Sequence, residues 1–203
     1  MMLILFVGDG ERDAATIPHL VMRILDVELA STSRNWAHLH GAGKGYQKKV
    51  RFAVLQAIDE GAVGLVAVVD RDRAPQRGRL RELREARDRD RMERPSFPTA
   101  FGEASPHGEA WLLDDPTAIR DALGLDPKVE IPTVLRTRNP KLVVNEIIKN
   151  SKHKDTRTLN ILTKIARLVD PDRCSHVSET GFREFVDEVR SEIGPLVYAR
   201  PAR

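Results

Sequence analysis

The sequence predicts an α/β fold: a mostly parallel sheet of about four strands flanked by helices, followed by a helical C-terminal part. Three observations predict it. "LILFV" (residues 3–7) and "GAVGLVAVVD" (61–70) are continuous apolar runs, as expected of strands covered on both faces. Between them apolar residues recur at helical spacing. Strand, helix, helix-length segment, strand is the rhythm of βαβ units.

The elements follow in order. Residues 3–7 form the first strand, and "GDGERD" reads as a tight strand-to-helix loop. Ile17, Leu20, Val21, Ile24 and Leu25 mark the first helix. The polar stretch 31–45 allows a short strand around Trp36–Leu39. Val50, Ala53, Val54, Ala57 and Ile58 mark a second helix running to about Glu60, and 61–70 supplies the next strong strand. Residues 79–93 are helical by propensity but almost wholly charged, so an exposed helix or flap is expected. A short strand near 98–103 and a helix starting at about Glu109 follow. Helices are then expected at roughly 117–123, 139–150, 156–169 and 179–192. The proline-bearing stretch 126–140 sets the expected division: an α/β core over 1–125 and a helical extension over 126–203 packed on it.

Composition narrows the class. The chain has 203 residues, 41% hydrophobic and 31% charged, enough apolar material for one sizeable core. No run approaches the length of a membrane span, and the apolar start lacks a basic leader and a small-residue cleavage site. The single cysteine, Cys174, excludes an intramolecular disulfide and reads as a small buried apolar residue; a reducing, cytoplasmic setting is expected. Net charge is +3. Residues 71–94 hold ten arginines against six acids, so the rest of the chain is close to neutral. Aromatics are only 5%, which argues against stacking of bases on an aromatic platform.

The chemistry lies at the strand ends. Residues 66–73, "VAVVDRDR", run from a buried strand into Asp70-Arg71-Asp72. Alternate residues of a strand share a face, so Asp70 and Asp72 are expected to project together. Aspartate at a strand end also opens turns or caps helices. Glu11 tilts the reading towards a site, because it follows the other strong strand at the equivalent end. If the strands are neighbours, Glu11, Asp70 and Asp72 converge, and a divalent cation resolves their repulsion. Among the other candidates, "GAGKG" (41–45) lacks the spacing of a phosphate-binding loop, though Lys44 within it is a candidate phosphate contact. His38 and His40 share a face if they lie on a strand, but no third ligand accompanies them. His107 is a candidate proton-transfer partner two residues before Glu109. Arg73, Arg77 and Arg79, directly after the acidic pair, are candidates for holding a nucleic-acid backbone. The opposing reading is a solvated helix laced with ion pairs such as Arg81–Glu85 and Arg84–Asp88.

"FVGDGERD" resembles the strand-one acidic motif of Toprim domains, and "VAVVDRDR" their DxD motif. Toprim is the Mg²⁺-binding catalytic module of type IA and type II topoisomerases, bacterial primases and OLD-type nucleases. "HGEAWLLDD" (107–115) resembles the "EAWLLAD" signature of a bacterial Toprim-like family of unknown function. "CSHVSETGFREFVDEV" resembles that family's closing helix, so the resemblance spans nearly the whole chain. It implies a Toprim-like fold, Mg²⁺ or Mn²⁺ as cofactor, Asp70 and Asp72 as metal ligands, and Glu11 as general acid/base or ligand. Glu109 would be a further ligand or orienting group. The implied activity is nucleic-acid hydrolysis by a nuclease, with an ATPase or other partner protein and a mobile-element or defence setting; a homo-oligomer is compatible with it. The alternative is a non-catalytic metal- or phosphate-binding subunit of a larger assembly. The family's first motif reads V-E-G-x-T-E, whereas this chain has Gly8-Asp9-Gly10-Glu11-Arg12-Asp13. Asp9 takes the first acidic slot and Arg12 replaces a small hydroxyl residue.

Overall fold

The computed structural model describes residues 2–39, 45–72, 74–75, 77–93 and 97–198. Four parallel strands, β1 (Leu3–Gly8), β2 (Ala30–Asn35), β3 (Gly64–Asp70) and β4 (Thr99–Ala104), form one sheet in the order β2-β1-β3-β4. The helices joining them are α1 (Glu11–Leu25), α2 (Tyr46–Asp59) and α3 (Gly78–Glu93). The chain steps one way across the sheet from β1 to β2, then the other way to β3 and β4. Crossovers of one fixed hand must therefore place α1 on one face and α2 and α3 on the other. The two apolar clusters show this arrangement. Ile4, Phe6, Val66 and Val68 pack with α1, while Leu5, Val7, Leu65, Ala67 and Val69 pack with α2 and α3. Strands buried on both sides explain the unbroken apolar runs.

Beyond β4 come α4 (Glu109–Leu113), α5 (Pro116–Leu123), α6 (Pro140–Lys149), α7 (Thr158–Leu168), α8 (Val177–Thr180), α9 (Phe182–Glu188), a π-helical turn Val189–Ile193, and α10 (Gly194–Tyr198). Asp115 and Asn139 cap α5 and α6 through their side chains, each with proline at the first helical position. The helices of the 126–203 part share the apolar cluster of α1 and β1. Its centre is Trp111, fully buried, stacked on Phe185 at 4.8 Å and donating its indole N–H to Thr180 O. Gly181 has φ +78°, and a Cβ there would stand 2.1 Å from the Glu103 carbonyl oxygen. Only glycine lets the last helices close onto β4 at that point.

Three local expectations change. The second strand is the polar Ala30–Asn35, and Trp36–His38 is a single 3₁₀ turn held by a hydrogen bond from Trp36 Nε1 to Val68 O at 2.8 Å. An edge strand has little burial to impose, so its residues carry no apolar alternation. His38 is exposed on that turn, while His40 and Lys44 lie outside the described residues. The charged α3 is not a flap. Leu80, Leu83 and Ala86 are buried on the sheet, and its arginines pair with acids of the last helices. The Arg81–Glu85 pair is present at 3.9 Å, but Arg84 binds Glu188 in place of Asp88. Among the described residues no helix is long and apolar enough to cross a membrane.

Candidate functional site

β1 and β3 are neighbours at the point where the chain reverses its direction across the sheet. The segments leaving their carboxyl ends diverge to opposite faces and open a crevice, the usual place for a site in an open parallel sheet. A cleft of about 560 Å³ lies there, lined by Asp9, Glu11, Asp13, Asp70 and Glu109 among the acids and by Arg12, Lys141 and Arg157 among the cations.

Backbone geometry builds the acidic side. The Asp70 N–H donates to Asp9 Oδ2 at 2.8 Å, stitching the two strand ends together. The Asp9 N–H donates to Asp13 Oδ2 at 2.6 Å, folding the loop onto the first turn of α1. Gly8 makes this approach feasible, since a Cβ there would stand 2.4 Å from Asp13 Cβ. The Gly108 N–H donates to Asp70 Oδ1 at 3.1 Å. Among the described residues, the second oxygens of Asp9 and Asp70 have no hydrogen-bond partner. Glu109, buried at the start of α4, takes Arg12 Nη1 at 2.7 Å. The other arm of that guanidinium holds Asn145 of α6 at 2.9 Å.

The acids raise one another. Burial, then the charges of Asp13, Asp9 and Glu109, push Asp70 up to about 8 against the Gly108 hydrogen bond. Burial, opposed by the Asp9 N–H and assisted by Asp9 and Glu109, pushes Asp13 up to about 6. Asp9 stands at the exposed rim, yet partial desolvation and the charge of Asp72 raise it too. A carboxyl raised in the native state keeps a proton that the unfolded chain has released above about pH 4. Stability of the metal-free protein is therefore expected to fall as pH rises from about 4 to about 8, and then to level off. Melting temperatures in EDTA across this range check it. Asp70→Asn should remove most of the decline, and parallel wild-type and variant profiles would contradict the account.

Of the expected trio, Glu11 and Asp70 line the same cleft, but Asp72 is not among its lining residues. β3 ends at Asp70, and Asp72 adopts a left-handed turn conformation, φ +49°. The two-residue alternation that would place both on one face has already ended. Asp72 stands at the rim, its Oδ1 3.7 Å from His107 Nε2. Glu11 is 82% exposed on α1, with Arg157 Nη2 at 3.9 Å. Neither Arg77 nor Arg79 lines the cleft. Both donate backbone N–H groups to Glu103; the Arg77 side chain pairs with Glu184, and Arg79 reaches Tyr46 OH at 3.2 Å. Arg73 and Lys44 lie outside the described residues. Cys174 is partly buried, and its thiol is pushed up by burial and by the nearby aspartates.

Asp13, Lys141 and Arg157 are the cleft residues that sequence reasoning missed. The first motif carried a signal for Asp13. Laid in register on V-E-G-x-T-E, this chain places Asp9 on the first glutamate, Asp13 on the last and Glu11 on the variable position. Lys141 and Arg157 carry no local signal, because only the packing of α6 and α7 brings them to the sheet edge.

No family model matches the chain, and no curated protein matches it. Among solved structures, the C-terminal region of the OLD protein from Xanthomonas campestris pv. campestris is similar at 15% identity and a TM-score of 0.47. The match covers 97% of this chain and 98% of that one.

Proposed function

We propose that this chain is a Toprim-like, Mg²⁺- or Mn²⁺-dependent phosphoryl-transfer enzyme that hydrolyses nucleic acid. One observation carries the reading. Asp9 and Asp70 are locked together at the β1/β3 switch point, each with an oxygen that no described residue hydrogen-bonds, across a cleft from Lys141 and Arg157. The motif resemblance supports it independently.

The donor set suits a hard divalent cation. Among the described residues no three carboxylate, histidine or cysteine side chains are grouped so as to hold one ion. Mg²⁺ commonly takes only one or two carboxylates and completes its shell with water and substrate phosphate, and the Asp9–Asp70 pair meets that need. A bound ion would supply charge neutralisation at the scissile phosphate and a more acidic water. The chain's own residues do the rest. Asp13 fixes the loop that carries Asp9. Arg12 holds Glu109 and ties α1 to α6. Lys141 and Arg157 offer positive charge to the phosphate backbone. Glu11, exposed at the mouth of the cleft, would accept a proton from an attacking water.

Cleavage of plasmid and single-stranded substrates is expected with Mg²⁺ or Mn²⁺ and not in EDTA. Activity should fall steeply with salt, as neutralised phosphates release counterions. Arg157→Ala should raise KM more than it lowers kcat. Metal-dependent turnover of a small phosphorylated molecule with little salt effect would place the substrate outside nucleic acid. A second reading, a non-catalytic metal- or phosphate-binding subunit, draws on the Arg12–Glu109 pair, which already satisfies one acid of the cleft. Metal binding without cleavage of any of these substrates would select it.

A further inference from the structure

We propose that, granted the nucleic-acid reading of the cleft, the bound strand continues along a basic strip formed by α6 and its two flanking loops, which holds the backbone without reading the bases. Residues 136–157 carry seven lysines and arginines against two acids, Glu146 and Asp155. All seven cations are exposed. Among the described residues Arg157 has one acidic partner, Glu11 at 3.9 Å, and Lys152 folds over Gly124 at the end of α5. The other five, Arg136, Arg138, Lys141, Lys149 and Lys154, have neither an ion pair nor a side-chain hydrogen bond among those residues. The charge of α3 is spent differently, since Glu184, Glu188 and Glu192 meet its arginines. Five exposed like charges without partners repel one another and gain the fold nothing, whereas a polyanion would draw on them all.

Position identifies the polyanion. Lys141 and Arg157 line the cleft. The chain leaves it at Lys141, runs the length of α6 and returns at Arg157. Midway, Asn145 is held at 2.9 Å by Arg12 of the cleft wall. Lys141, Asn145 and Lys149 follow at four-residue intervals and so share one side of α6. Lys149 stands about 12 Å beyond Lys141, the length of about three phosphate steps of one duplex strand. Residues 136–157 contain no phenylalanine, tyrosine or tryptophan, so contact is with phosphates and not with stacked bases.

Fluorescence anisotropy in EDTA, with a labelled duplex and a labelled single strand, tests the strip apart from catalysis. The wild-type chain should bind both, with an affinity that falls steeply with salt and does not change with base sequence. Combined Arg138→Ala, Lys149→Ala and Lys154→Ala should weaken binding about tenfold or more at about 100 mM salt. They should also lower the slope of log affinity against log salt by about two to three, close to one for each cation. Lys48→Ala, Arg81→Ala and Arg89→Ala together remove the same charge from exposed sites of α2 and α3, on the other face of the sheet, and should leave binding unchanged. A wild-type chain that binds neither probe at about 50 mM salt overturns the proposal. So does an equal loss in both triple variants, or binding to phosphatidylserine vesicles alone. Binding through the strip without cleavage in Mg²⁺ or Mn²⁺ would uphold the strip and remove the catalytic reading. Cleavage with KM unmoved by the strip variant would do the reverse.

Discussion

Asp70→Asn is expected to lower metal-dependent cleavage by about 100- to 1,000-fold, the usual cost of removing one preorganised charge-stabilising group. The same substitution should stabilise the metal-free protein at pH 8. Burial, and then the charges of Asp13, Asp9 and Glu109, push the wild-type Asp70 carboxyl up to about 8, and asparagine keeps its shape without its charge. Activity down and stability up is the signature of a group kept for function against the interest of the fold. Kinetics and thermal melts on one preparation check both halves. A variant that loses activity and stability together would make Asp70 a structural residue.

Glu188→Ala is expected to cost about 3 kcal/mol, because it removes the closest counter-charge of a nearly buried cation. Glu188 is nearly buried and takes Arg84 Nε at 2.7 Å on one oxygen and Arg87 Nη1 at 2.5 Å on the other. The Phe101 N–H also points at it. Arg87 is 11% exposed, packed over the Phe101 ring, with its more distant acidic neighbours, Glu192 and the exposed Asp88, at 3.5 and 3.7 Å. Removing Glu188 leaves that guanidinium and a strand N–H poorly compensated. Urea denaturation measures the loss. If α3 served nucleic acid instead, the same change would cost well under 1 kcal/mol and would tighten DNA binding, because it frees arginines.

The arginine-rich segment shows how far the sequence could be read. Composition established a surplus of positive charge over 71–94. It could not show that Glu184, Glu188 and Glu192, spaced four apart about a hundred residues later, would meet Arg77, Arg84, Arg87 and Arg91. Ion pairs at that separation follow from tertiary packing, which has no local period. The parallel sheet was legible because strands covered on both faces must be apolar throughout, as β1 and β3 are. β2 was misplaced because an edge strand escapes that requirement. At the site, the strand ends were legible, while the neighbouring of β1 with β3 entered the sequence reading only as a condition, which the sheet order meets. The expectation that Asp72 shares a strand face with Asp70 failed because alternation was extended past the end of β3. Asp13 was passed over because it lies inside a helix, where its approach to Asp9 depends on Gly8 lacking a side chain.

The central claim is that Asp9 and Asp70 meet at the sheet edge to hold a divalent cation. A Mn²⁺ titration followed by electron paramagnetic resonance tests it most directly. The account predicts saturable binding to the wild-type chain, competed by Mg²⁺ and weakened about 10- to 100-fold in Asp70→Asn and in Asp9→Asn. Mn²⁺ that stays free at every protein concentration, or that binds both variants as tightly as the wild type, would contradict it.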